Sequence, residues 1–210
     1  MKKYLVLFAL AVFFILQGCI PSLHPIYTTD KLVEVKELPG LWTESGNGQV
    51  TYKNSEGKPE SWNFNDQGDK SYELIHTDDQ GRKAVFEVHV IKLDRYYFMD
   101  FYPTESAEEG EPVIADVYKM NDMEQMHLLP VHTFAKLEIS PTELKISMFD
   151  PDFLKKLLEN QQIRIKHEKT ESGFVLTASP EELQKFVAKY ADVKEAFLPD
   201  PTVLKNRLKE

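Results

Sequence analysis

The chain contains a single cysteine among its 210 residues, so it cannot form an internal disulfide and must rely on core packing for stability. It also has few basic side chains. Its 25 Lys and Arg are outnumbered by 34 Asp and Glu, which gives a formal net charge of −9. This acidic balance argues against nucleic acid as a partner, because binding to phosphates requires a basic face. It likewise disfavours electrostatic binding to anionic lipid.

Sequence signatures of catalysis are also missing. No serine occupies a Gly-x-Ser-x-Gly elbow, and neither a Gly-rich phosphate loop nor Gly-x-Gly-x-x-Gly occurs. Carboxylate pairs such as Asp78-Asp79 and Glu108-Glu109 fall in expected turns or loops. A glycosidase would need such a pair in a cleft. We therefore predict a protein that is not an enzyme, with no catalytic residue and no cofactor.

The N-terminal apolar run is too short to span a bilayer. It covers Leu5 to Leu16, twelve residues, whereas a spanning helix needs about 20. A basic start precedes the run and Leu16-Gln17-Gly18-Cys19 ends it, which is the secretory pattern. This order resembles the signal of bacterial lipoproteins, whose lipobox reads Leu, any residue, a small residue and Cys. The resemblance implies a signal peptide at residues 1–18 and acyl chains on Cys19, with diacylglycerol on its sulfur. The alternatives are an uncleaved anchor, or an ordinary signal with a chance cysteine.

Lipid on Cys19 would anchor the protein without a transmembrane helix, because two or more acyl chains give stable membrane binding. Ile20 follows the cysteine, whereas Asp there favours retention in the inner membrane in lipoproteins of enteric type. We therefore expect a lipid-anchored envelope protein, on the outer membrane rather than the inner. Removing residues 1–18 takes away two lysines and no acidic residue, which leaves 23 basic and 34 acidic side chains and a charge of −11.

Residues 19–38 read as a lipidated tether, stiffened by two prolines, with apolar side chains that can pack on the body. The stretch Ser22-Leu23-His24-Pro25-Ile26-Tyr27-Thr28, followed by Gly40-Leu41-Trp42, resembles the start of a family of uncharacterised bacterial lipoproteins. Members carry Cys, then Ser-Leu-His-Pro-Leu-Tyr, then Gly-Thr-Trp. No activity is assigned to the family, so the resemblance implies an anchor and an architecture only. The Gly-x-Trp also resembles the first strand of lipocalins, where the Trp closes one end of the barrel.

A two-residue period predicts antiparallel strands between Gly48 and Met148. Many short strands separated by turn residues indicate a mainly β fold, an antiparallel lipocalin-like barrel or sandwich, in a single domain at 39–198. A barrel of about eight strands can be filled by side chains or can hold one small ligand. Five aromatic residues are candidates either for a pocket or for the core: Tyr96, Tyr97, Phe98, Phe101 and Tyr102.

A helix, a hairpin and a second helix are predicted after the strands. Asp150-Pro151 is an N-cap with a first-turn proline, and Ser179-Pro180-Glu181-Glu182 is a capping box. The hairpin is expected at Ile163–His167 and Phe174–Thr177. Pro199 and Pro201 are expected to end regular structure and to leave residues 199–210 as a tail.

The sharpest metal candidate is the cluster of Met120, Met123, Met126 and His127, since thioethers and imidazole suit Cu(I). Methionines usually fill gaps in a core, so we predict no metal site. His127 and His132 are five apart, which places them on opposite faces of a strand and is not zinc spacing. The other histidines are single.

Two functions follow from these observations. The first is a binding module that holds a small apolar or amphipathic ligand inside the barrel. The alternative is a protein-interaction or assembly lipoprotein of the outer membrane with a filled barrel. The expected partners are the membrane, through lipid on Cys19, and either a small apolar ligand or another envelope protein.

Overall fold

A computed structural model describes residues 19–44, 60–104, 128–171 and 173–206. The predicted signal peptide, the acidic loop at 106–111 and the Met120 to His127 cluster lie outside these residues. The described ranges contain the strands β1 Gly40–Glu44, β2 Ser61–Gly68, β3 Ser71–Thr77, β4 Lys83–Leu93, β5 Tyr96–Pro103, β6 Thr133–Ile139, β7 Glu143–Met148, β8 His167–Thr170, β9 Gly173–Leu176 and β10 Thr202–Asn206. They also contain the helices α1 Pro151–Glu159 and α2 Pro180–Tyr190, and a 3-10 turn at Lys194–Ala196.

Eight of these strands close into an antiparallel barrel in the order β1, β10, β7, β6, β5, β4, β3, β2. The predicted lipocalin-like, mainly β fold is therefore confirmed. From β2 to β7, strands that follow one another along the chain are neighbours in the barrel, as consecutive strands usually are. Within the described residues, no helix is long and apolar enough to cross a bilayer.

Barrel closure depends on β10, so the prediction of a tail over 199–210 is wrong for Thr202–Asn206. Leu204 is fully buried and pairs with Leu144 of β7, while the other edge of β10 pairs with β1. Pro199 and Pro201 precede the strand, where a missing N–H removes no ladder hydrogen bond. A five-residue strand far from its partners in sequence leaves little periodic signal.

The pleat sends alternate side chains into the barrel, where they form one hydrophobic cluster. The end where β1 begins is called the lower end, and the chain before β1 crosses it, where the Val35 N–H donates to the Tyr72 hydroxyl at 2.7 Å. Trp42, in the middle of β1 and opposite Trp62 of β2, is fully buried, and its Nε1 donates to the Leu38 carbonyl at 2.9 Å. Gly40 has a φ of 131°, a conformation that favours glycine.

The helices and the β8–β9 hairpin form an outer layer over β4, β5 and β6. Outward side chains such as Phe98 and Phe134 pack there against Phe149 and Phe186 in a second hydrophobic cluster. The Asp150 N-cap and the Ser179 capping box are both present.

The first strand of the hairpin begins later along the chain than the sequence predicts. It spans His167–Thr170 and not Ile163–His167, because Ile165 is buried in the outer cluster instead of pairing in the hairpin.

The segment at 19–38 is not a free spacer, because it docks on the barrel from Ile20 onward. Ile20 is 3% exposed, and Ser22 and Ile26 are fully buried. Ser22 exchanges backbone hydrogen bonds of 2.9 and 2.8 Å with His132, at the entry to β6. The apolar residues within the tether therefore belong to the folded body.

Candidate functional site

The upper end of the barrel, opposite the end where β1 begins, is where β2 and β6 begin and β5 ends. Register places Trp62 on the same face as Trp42 and His76, and Phe86 on the same face as Leu74. Trp62 and Phe86 point inward yet are only half-buried, as is Met148 from β7. The upper end therefore presents an apolar, largely aromatic wall.

Trp62 contacts other aromatic rings in this wall. Its indole meets the rings of His76 and Phe101 edge-on, with centroids 4.8 and 6.3 Å away. Its Nε1 is buried and has no hydrogen-bond partner, the only such side-chain N or O atom among the described residues. Buried donors are nearly always paired, and leaving one unpaired costs about 1–3 kcal/mol. Among the described residues, no acceptor is hydrogen-bonded to this donor.

A polar pair lies beside the indole. His76 Nε2 is 2.7 Å from Glu60 Oε1, and the two side chains are 22% and 21% exposed. The site thus combines an apolar wall with a half-buried, hydrogen-bonded polar pair and an unsatisfied N–H. Ligand pockets have this composition, since apolar surface supplies affinity and a few polar groups orient the ligand. Among the described residues, the side chain that hydrogen-bonds to His76 Nε2 is that of Glu60.

The barrel is filled below this level. Phe64, Tyr72, Leu74 and Met99 are each at most 1% exposed and pack with Trp42 in the interior cluster. In the described part of the interior, the half-buried apolar side chains that a ligand can reach include Trp62, Phe86 and Met148.

The aromatic run at the start of β5 does not act as a unit. Tyr97 and Phe101 belong to the interior cluster, whereas Phe98 faces the outer layer. Tyr102 packs on His132 with ring centroids 4.5 Å apart, and the Tyr96 hydroxyl binds Asp192. Alternation along the strand thus divides these residues between core and surface.

A second polar cluster docks the tether outside the barrel. Asp100 is 1% exposed and accepts hydrogen bonds from the Ile26 N–H at 2.8 Å and from His132 Nδ1 at 2.7 Å. Tyr27 stacks on His89 at a centroid distance of 4.0 Å, and burial lowers the pKa of His89. Both ends of the Ser22–Tyr27 stretch are thereby held, so we assign this cluster a structural role.

A cleft of about 670 Å³ lies on the outside, between β6, β7 and residues 191–201. Its walls carry both signs of charge, including Lys136, Glu138 and Lys145, beside apolar residues such as Phe197. Most of these charges already have partners: Lys145 pairs with Glu138, and Lys136 donates to the Ala191 carbonyl at 2.8 Å.

The residues that the sequence singled out do not come together in one site of the described structure. Cys19 is exposed, at the start of the described chain. The Met120 to His127 cluster lies outside the described residues, and within them no three His, Cys, Asp or Glu side chains gather as a metal site would require. His76, which the sequence suggested was isolated, has Glu60 as a partner, and His132, which was considered together with His127, has Asp100.

Sequence reasoning did not identify Trp62, the Glu60–His76 pair or the Asp100–His132 pair. Each pair is at least sixteen residues apart along the chain and is joined only by barrel register. The one available signal was that Trp62 is the second of only two tryptophans. Comparison with protein-family models, curated proteins and solved structures returns no match. The functional argument therefore depends on the residues of this chain.

Proposed function

We propose that this protein is an envelope lipoprotein, not an enzyme, whose barrel binds a small amphipathic or apolar ligand at its upper end. The observation that supports this most directly is the buried Trp62 Nε1, an unpaired donor set in an aromatic wall. A ligand with an acceptor group beside an apolar body would satisfy the donor and cover the half-buried rings. The polar Glu60–His76 pair at the same level suits the hydrated end of such a ligand.

The membrane part of the proposal is supported by the lipobox order before Cys19 and by the exposure of that residue. We expect signal cleavage before Cys19, acylation of its sulfur and amine, and location on the outer membrane. Intact-mass spectrometry of the protein purified from membranes tests this. An unmodified cysteine, or a chain that begins at Met1, would contradict it.

The two tryptophans provide a matched test of ligand binding. In a Trp42→Phe variant, Trp62 is the only indole left, and in Trp62→Phe only Trp42 is left. We expect titration with a monomeric fatty acid to change the emission of the first variant more than that of the second, because Trp62 is half-buried whereas Trp42 is fully buried and its Nε1 is already bonded to the Leu38 carbonyl. Phe at position 62 also removes the donor, so affinity should fall several-fold. Equal responses, or no binding by either variant, would refute the assignment.

A protein partner is the alternative, and the outer cleft favours it. Its mixed charges and apolar rim suit an extended polypeptide segment better than a lipid. Crosslinking in intact membranes would test this, with Lys156 and Lys194, both exposed on the cleft wall, as the reactive amines. A reproducible protein adduct at these lysines, together with an empty barrel in native mass spectrometry, would favour the alternative.

A further inference from the structure

Exposed apolar side chains are concentrated at one place in the described structure. Its only exposed large hydrophobic residues are Leu23, Leu128 and Leu129, at 40%, 49% and 68%. All three flank the backbone pairing of Ser22 with His132. Leu129 is three residues from that pair, which limits its distance to about 10 Å. Single exposed leucines are ordinary, but their restriction to one site indicates a surface that contacts something apolar. We call these three residues the leucine patch.

Cys19 lies beside the same patch. It is three residues from Ser22, so it too is within about 10 Å of the pairing. Because Ile20 is buried and Ser22 is hydrogen-bonded, Cys19 is attached to the folded body without a linker between them. Acyl chains on Cys19 would therefore hold the domain directly against the bilayer, with this side facing it.

The local charge is consistent with such contact. Neither residues 19–27 nor residues 128–132 contain a carboxylate, although the chain has 34 of them. Apolar and uncharged residues can enter the lipid interface, whereas carboxylates are repelled by anionic headgroups. Acidic side chains at the upper end of the barrel, Asp78 and Asp79, are in the β3–β4 turn, three strands away from β6 in the barrel.

This surface also marks one end of the barrel. The leucine patch precedes β6, and β6 begins at the upper end, where Thr133 pairs with Phe101. Phe101 is in edge contact with Trp62, the centre of the candidate ligand site. The membrane-facing side and the ligand site are thus at the same end.

We propose that the upper end of the barrel faces the bilayer, with the leucine patch in the lipid interface, and that the ligand is a membrane lipid taken up by its acyl chain. The proposal rests on the proposed function, both on acylation of Cys19 and on ligand binding beside Trp62. It adds the chemical class of the ligand and its source, which is the bilayer to which the protein is anchored.

Orientation can be measured on the full-length lipoprotein in vesicles of phosphatidylethanolamine and phosphatidylglycerol. Acylated Cys19 has no free thiol, so Leu129→Cys accepts a single fluorophore, and Thr142→Cys is the matched control. Thr142 is exposed in the turn between β6 and β7, at the lower end. We expect a nitroxide-labelled phospholipid to quench the label at 129 several-fold more strongly than the label at 142. Equal quenching, or stronger quenching at 142, would overturn the orientation, and a protein partner would then be the better occupant of the patch.

The ligand source is tested in the same vesicles with a phospholipid that carries a diazirine near the end of one acyl chain. Light expels N₂ from the diazirine, and the resulting carbene inserts into a neighbouring C–H or N–H bond. We expect adducts on the β2 and β5 peptides that contain Trp62 and Phe101. If only a water-soluble short-chain diazirine acid labels them, the ligand does not come from the bilayer, so this proposal fails and the proposed function stands. If neither probe labels them, ligand binding itself is refuted.

Discussion

The buried carboxylate of Asp100 should contribute strongly to stability, because it holds the tether on the barrel. Asp100→Ala removes the acceptor for the Ile26 N–H at 2.8 Å and for His132 at 2.7 Å. Ile26 is fully buried, so water cannot replace the lost acceptor. Each unsatisfied buried donor costs about 1–3 kcal/mol. We expect a loss near the upper value.

Urea unfolding followed by tryptophan fluorescence at pH 7 measures this loss as a lower midpoint with an unchanged slope. Asp100→Asn retains one acceptor for the Ile26 N–H, so its cost should be smaller, about 1–2 kcal/mol. Asp79→Ala is the control, since Asp79 is exposed in the β3–β4 turn and should change stability by less than about 0.5 kcal/mol. Trypsin should also cut after Lys31 faster in Asp100→Ala. If Asp100→Ala were as mild as Asp79→Ala, the docking argument would be refuted.

Three further predictions address closure, capping and pH. Leu204→Ala should destabilise the barrel by about 2–5 kcal/mol in urea, several times more than the outward-facing Val203→Ala; similar losses would mean that β10 does not close the barrel. Ser179→Ala should cost about 1 kcal/mol, seen as a lower melting temperature, and Ser179→Asp should restore it; no loss on removing the hydroxyl would contradict the capping role. Burial lowers the pKa of His89, which is near Glu87, Asp100, His132 and Tyr27, so the folded protein favours the neutral ring. The unfolded chain then binds the proton more readily, and the stability present above about pH 6.5 is lost as the pH falls through the folded pKa. Urea midpoints at pH 7.5 and 5.5 should therefore differ less in His89→Gln than in the parent, and an equal difference would contradict this.

Local signals predicted most of the strands because they are built from neighbours in sequence. The alternation that marks β4, β6 and β7 also decides which side chains enter the barrel, as Leu144 and Ile146 show. The caps at Asp150 and Ser179 were predicted for the same reason, since each acts on a backbone N–H within three residues.

The candidate site could not be predicted in this way. Glu60 meets His76, and Asp100 meets His132, only because the register of the barrel brings distant strands together. The unpaired state of Trp62 Nε1 is likewise a property of its surroundings, not of its type. The mistaken tail at Thr202–Asn206 has the same origin, since the two partners of β10 start 162 and 59 residues before it.

The sequence by itself determined the alternating strands, the capped helices, the absence of internal disulfides and the Leu-Gln-Gly-Cys order that resembles a lipobox, because each depends on residue type and short spacing. Only the tertiary structure decided that the barrel closes through β10 and that the tether is docked from Ile20. It also decided that Trp62 Nε1 has no hydrogen-bond partner among the described residues. It also brought the three exposed leucines beside Cys19 at the upper end. These features depend on contacts between distant residues, and such contacts exist only once the barrel has closed.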